Sequence, residues 1–149
     1  MLSRLLFVVA LSALCAESDA LLRKTCHDVL PGCRIHSASV DPCTGNPRHC
    51  RIKRTEDHRL HVDFTPHFDA DNLTLTMEHL RQNQSRAEMD ACRSATCPMA
   101  ARERQSLDLK FNFNNDIPTS KYYLKVKIFD PRDEAKACCF TFKVSYVNP

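Results

Sequence analysis

Apolar and polar residues alternate along much of this chain. In HRLHVDFT (58–65), Leu60, Val62 and Phe64 are separated by His61 and Asp63. NLTLTMEHL (72–80) sets Leu73, Leu75 and Met77 against Thr74, Thr76 and Glu78. SLDLKFNF (106–113) carries Leu107, Leu109, Phe111 and Phe113, and YYLKVKIF (122–129) carries Leu124, Val126 and Ile128 with Lys125 and Lys127 between them. EAKACCFTFKVSYV (134–147) ends in Phe140, Phe142, Val144 and Tyr146 against Thr141, Lys143 and Ser145. Side chains two apart share a face of a strand, so each stretch predicts a half-buried β-strand. Weaker candidates at 34–40 and 50–54 bring the expected total to about seven. Such strands bury their apolar faces only sheet on sheet or in a closed barrel. The helical competitor, QNQSRAEMDACRSATCPM (82–99), lacks a 3.6-residue period and holds a local cysteine pair with Pro98, so it reads as a loop. Only Gly32 and Gly45 are glycines, and turns fall instead on Pro, Asn and Asp, as in LPG (30–32), NND (114–116) and DPRD (130–133). With no repeat or linker, the chain reads as one compact β-domain.

The first 20 residues stand apart. MLSRLLFVVALSALCAESDA has an early Arg4, an apolar run from Leu5 to Cys15 and small or polar residues up to Ala20. This is the pattern of a secretory leader, too short to span a bilayer, with cleavage expected after Ala20 or Ser18. The expected division is therefore a signal peptide at 1–20 and one domain at 21–149. Removing the leader takes Lys plus Arg from 21 to 20 and Asp plus Glu from 18 to 16, a formal charge of about +4. That charge is too mild and too mixed in sign to argue for nucleic acid. Two sequons, at Asn72 and Asn83, are candidate glycosylation sites consistent with export.

The leader also takes one of the nine cysteines. The remaining eight, in an exported chain, read as a disulfide framework. Cys43 and Cys50 bracket the turn-rich TGNPRH, and Cys92 and Cys97 bracket RSAT, so each pair is expected to close a local loop. CTGNPRHC also has the look of a metal half-site, but an oxidising compartment favours the disulfide. Cys26, Cys33, Cys138 and Cys139 then have three possible connectivities. On an alternating strand Cys138 shares its face with Phe140 and points inward, whereas Cys139 shares its face with Thr141 and points outward. A bond between these neighbours is strained, which leaves the N-terminal Cys26 and Cys33 as partners.

Four pieces in order resemble a known family: KTC (24–26), SVDPC (39–43) closing at Cys50, DACRSATCP (90–98) and ACCFTFKV (137–144). They are similar to the ML family of MD-2-related lipid-recognition domains, and within it to the Niemann-Pick type C2-like proteins and the group 2 mite allergens. The resemblance covers nearly all of 21–149 and implies an all-β, immunoglobulin-like, two-sheet antiparallel sandwich, stapled by disulfides. It implies a bond from the first cysteine to the last strand. The register of that strand favours Cys26 with Cys139, leaving Cys33 and Cys138 as an additional bridge.

The resemblance further implies a lipid held between splayed sheets. The candidate lining residues are the inward Phe64, Leu75, Met77, Leu109 and Phe111, together with Val126, Phe140 and Phe142. The expected mouth is the 117–123 segment, with Ile117, Pro118 and Tyr122. One departure is the polar LRQNQSRAEMDAC (80–92), where relatives carry a proline- and aromatic-rich stretch. It turns the expectation from cholesterol towards a fatty acid or similar long apolar ligand with a polar head near Arg81 or Arg86. The expected function is a secreted, extracellular, monomeric carrier of a fatty acid, sterol or semiochemical, without cofactor or metal and without catalysis. The competing role is an accessory module presenting a microbial or host lipid to a receptor or hydrolase, with a receptor or membrane surface as partner. Its support is the arginine grouping Arg81, Arg86, Arg93, Arg102 and Arg104. A solid-cored adhesion domain of immunoglobulin type is disfavoured by the absence of tryptophan.

Overall fold

The computed structural model describes residues 21, 23–45, 48–80, 86–113 and 117–148, with the Arg86 side chain excepted. Nine strands follow one another in the chain: β1 (Arg23–Thr25), β2 (Cys33–Asp41), β3 (Cys50–Lys53), β4 (His58–Pro66), β5 (Thr74–Leu80), β6 (Arg86–Asp90), β7 (Gln105–Phe111), β8 (Lys121–Asp130) and β9 (Asp133–Val147). A single turn of 3-10 helix at Ala91–Arg93 is capped by the Asp90 carboxylate, which accepts from the Cys92 amide. The expected alternation appears as burial: β4 reads buried at every second residue from His58 to Pro66, and β7 does the same from Gln105 to Phe111.

The strands form two sheets. The larger runs β1-β9-β8-β5-β6, with β3 also paired to β9, and the smaller runs β2-β4-β7. At 15 residues, β9 is long enough for one edge to hold β1 at Phe140–Phe142 and β3 at Val144–Val147. The β3 pairing is parallel and the other ladders are antiparallel. One apolar cluster lies between the sheets, with Phe64, Leu60, Val62 and Leu107 from the smaller and Leu75, Met77, Leu124, Val126, Phe140 and Phe142 from the larger.

Two short strands, β1 and β6, add to the seven expected from alternation. β6 lies within the segment read from sequence as a loop. It has the right alternation, with Ala87 and Met89 half-buried and Glu88 and Asp90 exposed. Its pairing along β5, from Thr74↔Asp90 to Glu78↔Arg86, supplies what five polar-rich residues do not show alone.

The adjacent cysteines of β9 part as their faces require. Cys138 bonds Cys33 at the head of β2, across the core in the smaller sheet. Cys139 bonds Cys26, just beyond β1 in its own sheet. Cys139 does face away from the apolar cluster, yet it is buried, because the N-terminal segment covers it. A third bridge, Cys43–Cys50, joins the end of β2 to the start of β3 and so also links the sheets, while Cys92–Cys97 closes the loop after β6. The bridges at Cys139 and Cys138 span 113 and 105 residues. In the chain-entropy description, closing a loop of that size stabilises by about 4 to 5 kcal/mol.

The N-terminal segment works as a strap across one flank. The Leu21 amide donates to Ala38 O of β2 at 2.9 Å, and β1 then pairs with β9. The register shift between Ile35 and Ser37 takes His36 out of the ladder, and the Arg23 guanidinium donates to the carbonyls of Ile35 and His36. Gly32 completes the strap, its amide donating to Ala137 O at 3.0 Å and its carbonyl accepting from the His67 amide at 2.8 Å. A Cβ at Gly32 would lie 2.2 Å from Ala137 O, so any side chain must push the strap off β9. Gly32→Ala is therefore expected to cost about 2 kcal/mol and lower the melting temperature by roughly 8 °C. Leu30→Ala, at a side chain 79% exposed, should leave it unchanged in the same calorimetric scan.

Candidate functional site

The inner faces of the sheets build the candidate site row by row. Met77, Val126 and Phe140 are in register across β5, β8 and β9, and His79, Leu124 and Phe142 form the next row. Opposite them, Val40, Leu60 and Leu109 align across β2, β4 and β7, and the next pair along is His58 and Phe111. Of the residues expected to line a ligand, Phe64, Leu75, Met77, Leu109, Phe111, Val126, Phe140 and Phe142 are all buried in this one cluster. Ile117 and Tyr122 join them, whereas Pro118 is exposed and meets the site only through its carbonyl, which accepts from the Tyr122 hydroxyl at 3.1 Å.

The 117–120 turn is held from three sides. Arg54 donates to Ile117 O at 3.1 Å, the Tyr146 amide to Ser120 O at 3.0 Å, and the Tyr122 hydroxyl to Pro118 O. Beneath the turn lies an aromatic cluster. His79 packs edge-on against Phe113 and Tyr122 at 4.9 and 5.4 Å between ring centroids, and Phe113 meets Tyr146 and Phe111 at 5.7 and 5.4 Å.

His79 is the residue that pattern reading passed over. It follows Leu75 and Met77 on the inward parity of β5, a position at which an apolar residue would be expected. In the fold it is buried, and its Nε2 lies 2.6 Å from the Tyr146 hydroxyl, which reaches it across β8. Burial, with the Tyr122 phenol nearby, raises the Tyr146 pKa far above its usual value, so the phenol stays neutral. The interior thus has an apolar middle and, beneath the 117–120 turn, a polar group composed of an imidazole and two phenols. The sequence signal available was a histidine in phase with an apolar stripe, which periodicity alone treats as an exception.

His58 also faces inward, but its two ring nitrogens meet Pro42 O, just after β2, and Lys53 O, at the end of β3, at 2.9 and 3.1 Å, which ties it to both. Three of the five grouped arginines lie away from the 117–123 turn. Because β6 carries the chain back across the sheet, Arg93 follows the β6 end opposite Thr74, away from Leu80 and the 117–123 turn. Arg102 sits by Pro66, and Arg104 pairs with Asp63 on the smaller sheet at 3.2 Å. Arg86 lies at the other end of β6, opposite Glu78, and Arg81 and Asn83 lie outside the described residues. Asn72 is exposed just before β5. Among the described residues no cluster of three His, Cys, Asp or Glu is placed to hold a metal ion, and no helix is long and apolar enough to cross a membrane.

With this geometry in view, the family model of the ML domain matches residues 23–146. The chain belongs to the ML domain family. The crystal structure of a Niemann-Pick type C2 protein from the Japanese carpenter ant superposes with a TM-score of 0.69 at 14% identity, covering 85% of this chain and all of that one. That likeness shows the fold. A CARDB domain from Pyrococcus furiosus, described in complex with di-metal ions, aligns at a TM-score of 0.38 and 8% identity, over 81% of this chain and 99% of that one. No curated protein sequence matches the chain. The ML assignment makes this a lipid-recognition domain, built on a sandwich whose inner faces are almost wholly apolar.

The polar end is open to direct test through stability. Tyr146→Phe removes the hydroxyl from its contact with His79 Nε2 and is expected to cost about 1 kcal/mol. Combining it with His79→Leu removes both polar partners and should recover most of that loss, giving a clear coupling in a double-mutant cycle measured by denaturant unfolding.

Proposed function

We propose that this ML domain binds one small hydrophobic molecule between its sheets and carries it in the extracellular space. The observation behind this reading is the interior of the family fold, an apolar middle contributed by both sheets with a polar end at His79, Tyr122 and Tyr146. Such a site suits an amphiphile with a long apolar part and a small polar head, as in a fatty acid, more than an all-hydrocarbon ligand. Apolar pockets with a few placed polar groups use the apolar area for affinity and the polar groups for orientation. In this reading residues 1–20 are removed on export, Asn72 accepts a glycan, and the protein works as a monomer without catalysis. The competing reading, a module that presents a lipid to a receptor, rests on the arginine grouping, of which Arg93, Arg102 and Arg104 lie away from the 117–123 turn.

Native mass spectrometry of protein secreted from eukaryotic cells, followed by solvent extraction, tests the reading directly. The expected result is a co-purifying mass of a few hundred daltons that solvent releases. Phe111→Arg and Phe142→Arg should abolish uptake of offered fatty acids, and Val126→Trp should reduce it by filling space without adding charge. Lys143→Glu, on the exposed face of β9, should leave uptake intact. A protein that stays bare and takes up neither fatty acids nor sterols would overturn the carrier reading.

A further inference from the structure

The flank closed by the N-terminal strap holds a cavity that the lipid-carrier reading does not use. Its volume is about 540 Å³, within the usual range for a small-ligand pocket. It lies between β1, at the edge of the larger sheet, and β2, at the edge of the smaller, and it shares only Phe140 with the residues expected to line the interior. Leu21, Val29, Leu30, Ile35 and Phe140 supply apolar surface, and Arg23 and Arg34 supply charge; among the described residues no Asp or Glu lines it.

The walls are pre-formed. Cys33–Cys138 and Cys26–Cys139 fix both ends of the 27–32 loop to β9, Gly32 is seated on Ala137, and Asp28 pairs with Lys125 of β8. On this rigid loop stands Leu30, 79% exposed and the one exposed large hydrophobic side chain among the described residues. A conformationally fixed apolar residue at the rim of a cationic pocket matches the chemistry of an amphiphile, with its chain against Leu30 and Phe140 and its head at the guanidinium groups. Arg23 uses part of its donor set on Ile35 O and His36 O, and a guanidinium has five N–H donors, so the same group can hold the strap and face an anion. Arg34 is exposed at the start of β2.

We propose that this flank pocket is a binding site for an anionic amphiphile, a single-chain carboxylate or phosphate, distinct from the interior site. Arg34 holds the head by charge-assisted hydrogen bonds, and Leu30 covers the first part of the chain.

The two glycines make the site observable. Protein labelled with ¹⁵N only at glycine has two glycine amide signals, Gly32 in the pocket wall and Gly45 in the Cys43–Cys50 hairpin. Titration with dodecanoate should shift Gly32 saturably and leave Gly45 in place, whereas dodecyltrimethylammonium should move neither. Arg34→Glu should weaken the dodecanoate response by roughly tenfold or more, the loss of one charge-assisted contact. Leu30→Ser, at an exposed position that cannot unfold the core, should weaken it as well. Phe111→Arg, which blocks the interior, should keep the Gly32 response, and native mass spectrometry of the unmodified protein should count two bound dodecanoates. Sedimentation with phosphatidylserine-containing vesicles, lost in Leu30→Ser, would assign the head to a membrane lipid; its absence would assign it to a free amphiphile. A Gly32 signal that dodecanoate does not move, that moves equally in Arg34→Glu, or that is silenced by Phe111→Arg would overturn the proposal. The last result would leave the interior carrier reading standing on its own.

Discussion

Two adjacent cysteines on one strand impose the constraint on which the rest of this molecule depends. Neighbouring side chains on β9 project to opposite faces, so Cys138 and Cys139 cannot serve the same partner. One sulfur crosses the core to Cys33 and the facing sheet, and the other turns outward to Cys26 beside its own sheet. The N-terminal segment is thereby bound to both layers. Its route, from the Leu21 amide on β2 through β1 on β9, follows from that double attachment. A strap fixed in this way closes one flank of the sandwich and sets the spacing of the sheets there, and Cys43–Cys50 ties the layers a second time.

This stapling bears on the interior. A domain of this size has little apolar area to spare, and a sandwich that accommodates a ligand gives up part of its own packing. Bridges closing loops of more than a hundred residues offset that loss by restricting the unfolded chain, without filling the space between the sheets. The polar end at His79 and Tyr146 has the opposite cost. It keeps two polar groups inside an apolar cluster, tolerable because each satisfies the other at 2.6 Å and the phenol remains uncharged.

Charge is arranged outside these layers. Lys125, largely covered, lies between Asp28 and Glu78, and Arg104 pairs with Asp63. These pairs secure loops and strands to one another. The flank pocket differs, since its two arginines stand beside apolar surface and no carboxylate is among the described residues of its walls.

The sandwich was legible in the sequence because a period of two is a local property. Leu60 to Phe64, or Leu124 to Ile128, need no distant partner to show which face is buried. Parity likewise separated Cys138 from Cys139, and short spacing singled out the two local cysteine pairs. What alternation left out were elements whose identity lies in their partners. β1 has three residues and β6 five, and each is a strand only because β9 or β5 completes its hydrogen bonds. The site divides in the same way. The buried apolar residues between the sheets could be named from periodicity, but His79 looked like an interruption until the fold brought Tyr146 to it from 67 residues away. The flank pocket, too, exists only where a loop near the N-terminus meets β9 near the C-terminus. The sequence by itself determined which faces are apolar, since each side chain's direction is set by its neighbours along the strand. Only the tertiary structure decided which polar groups and cavities those faces enclose, because their partners are set by sheet order and disulfide closure.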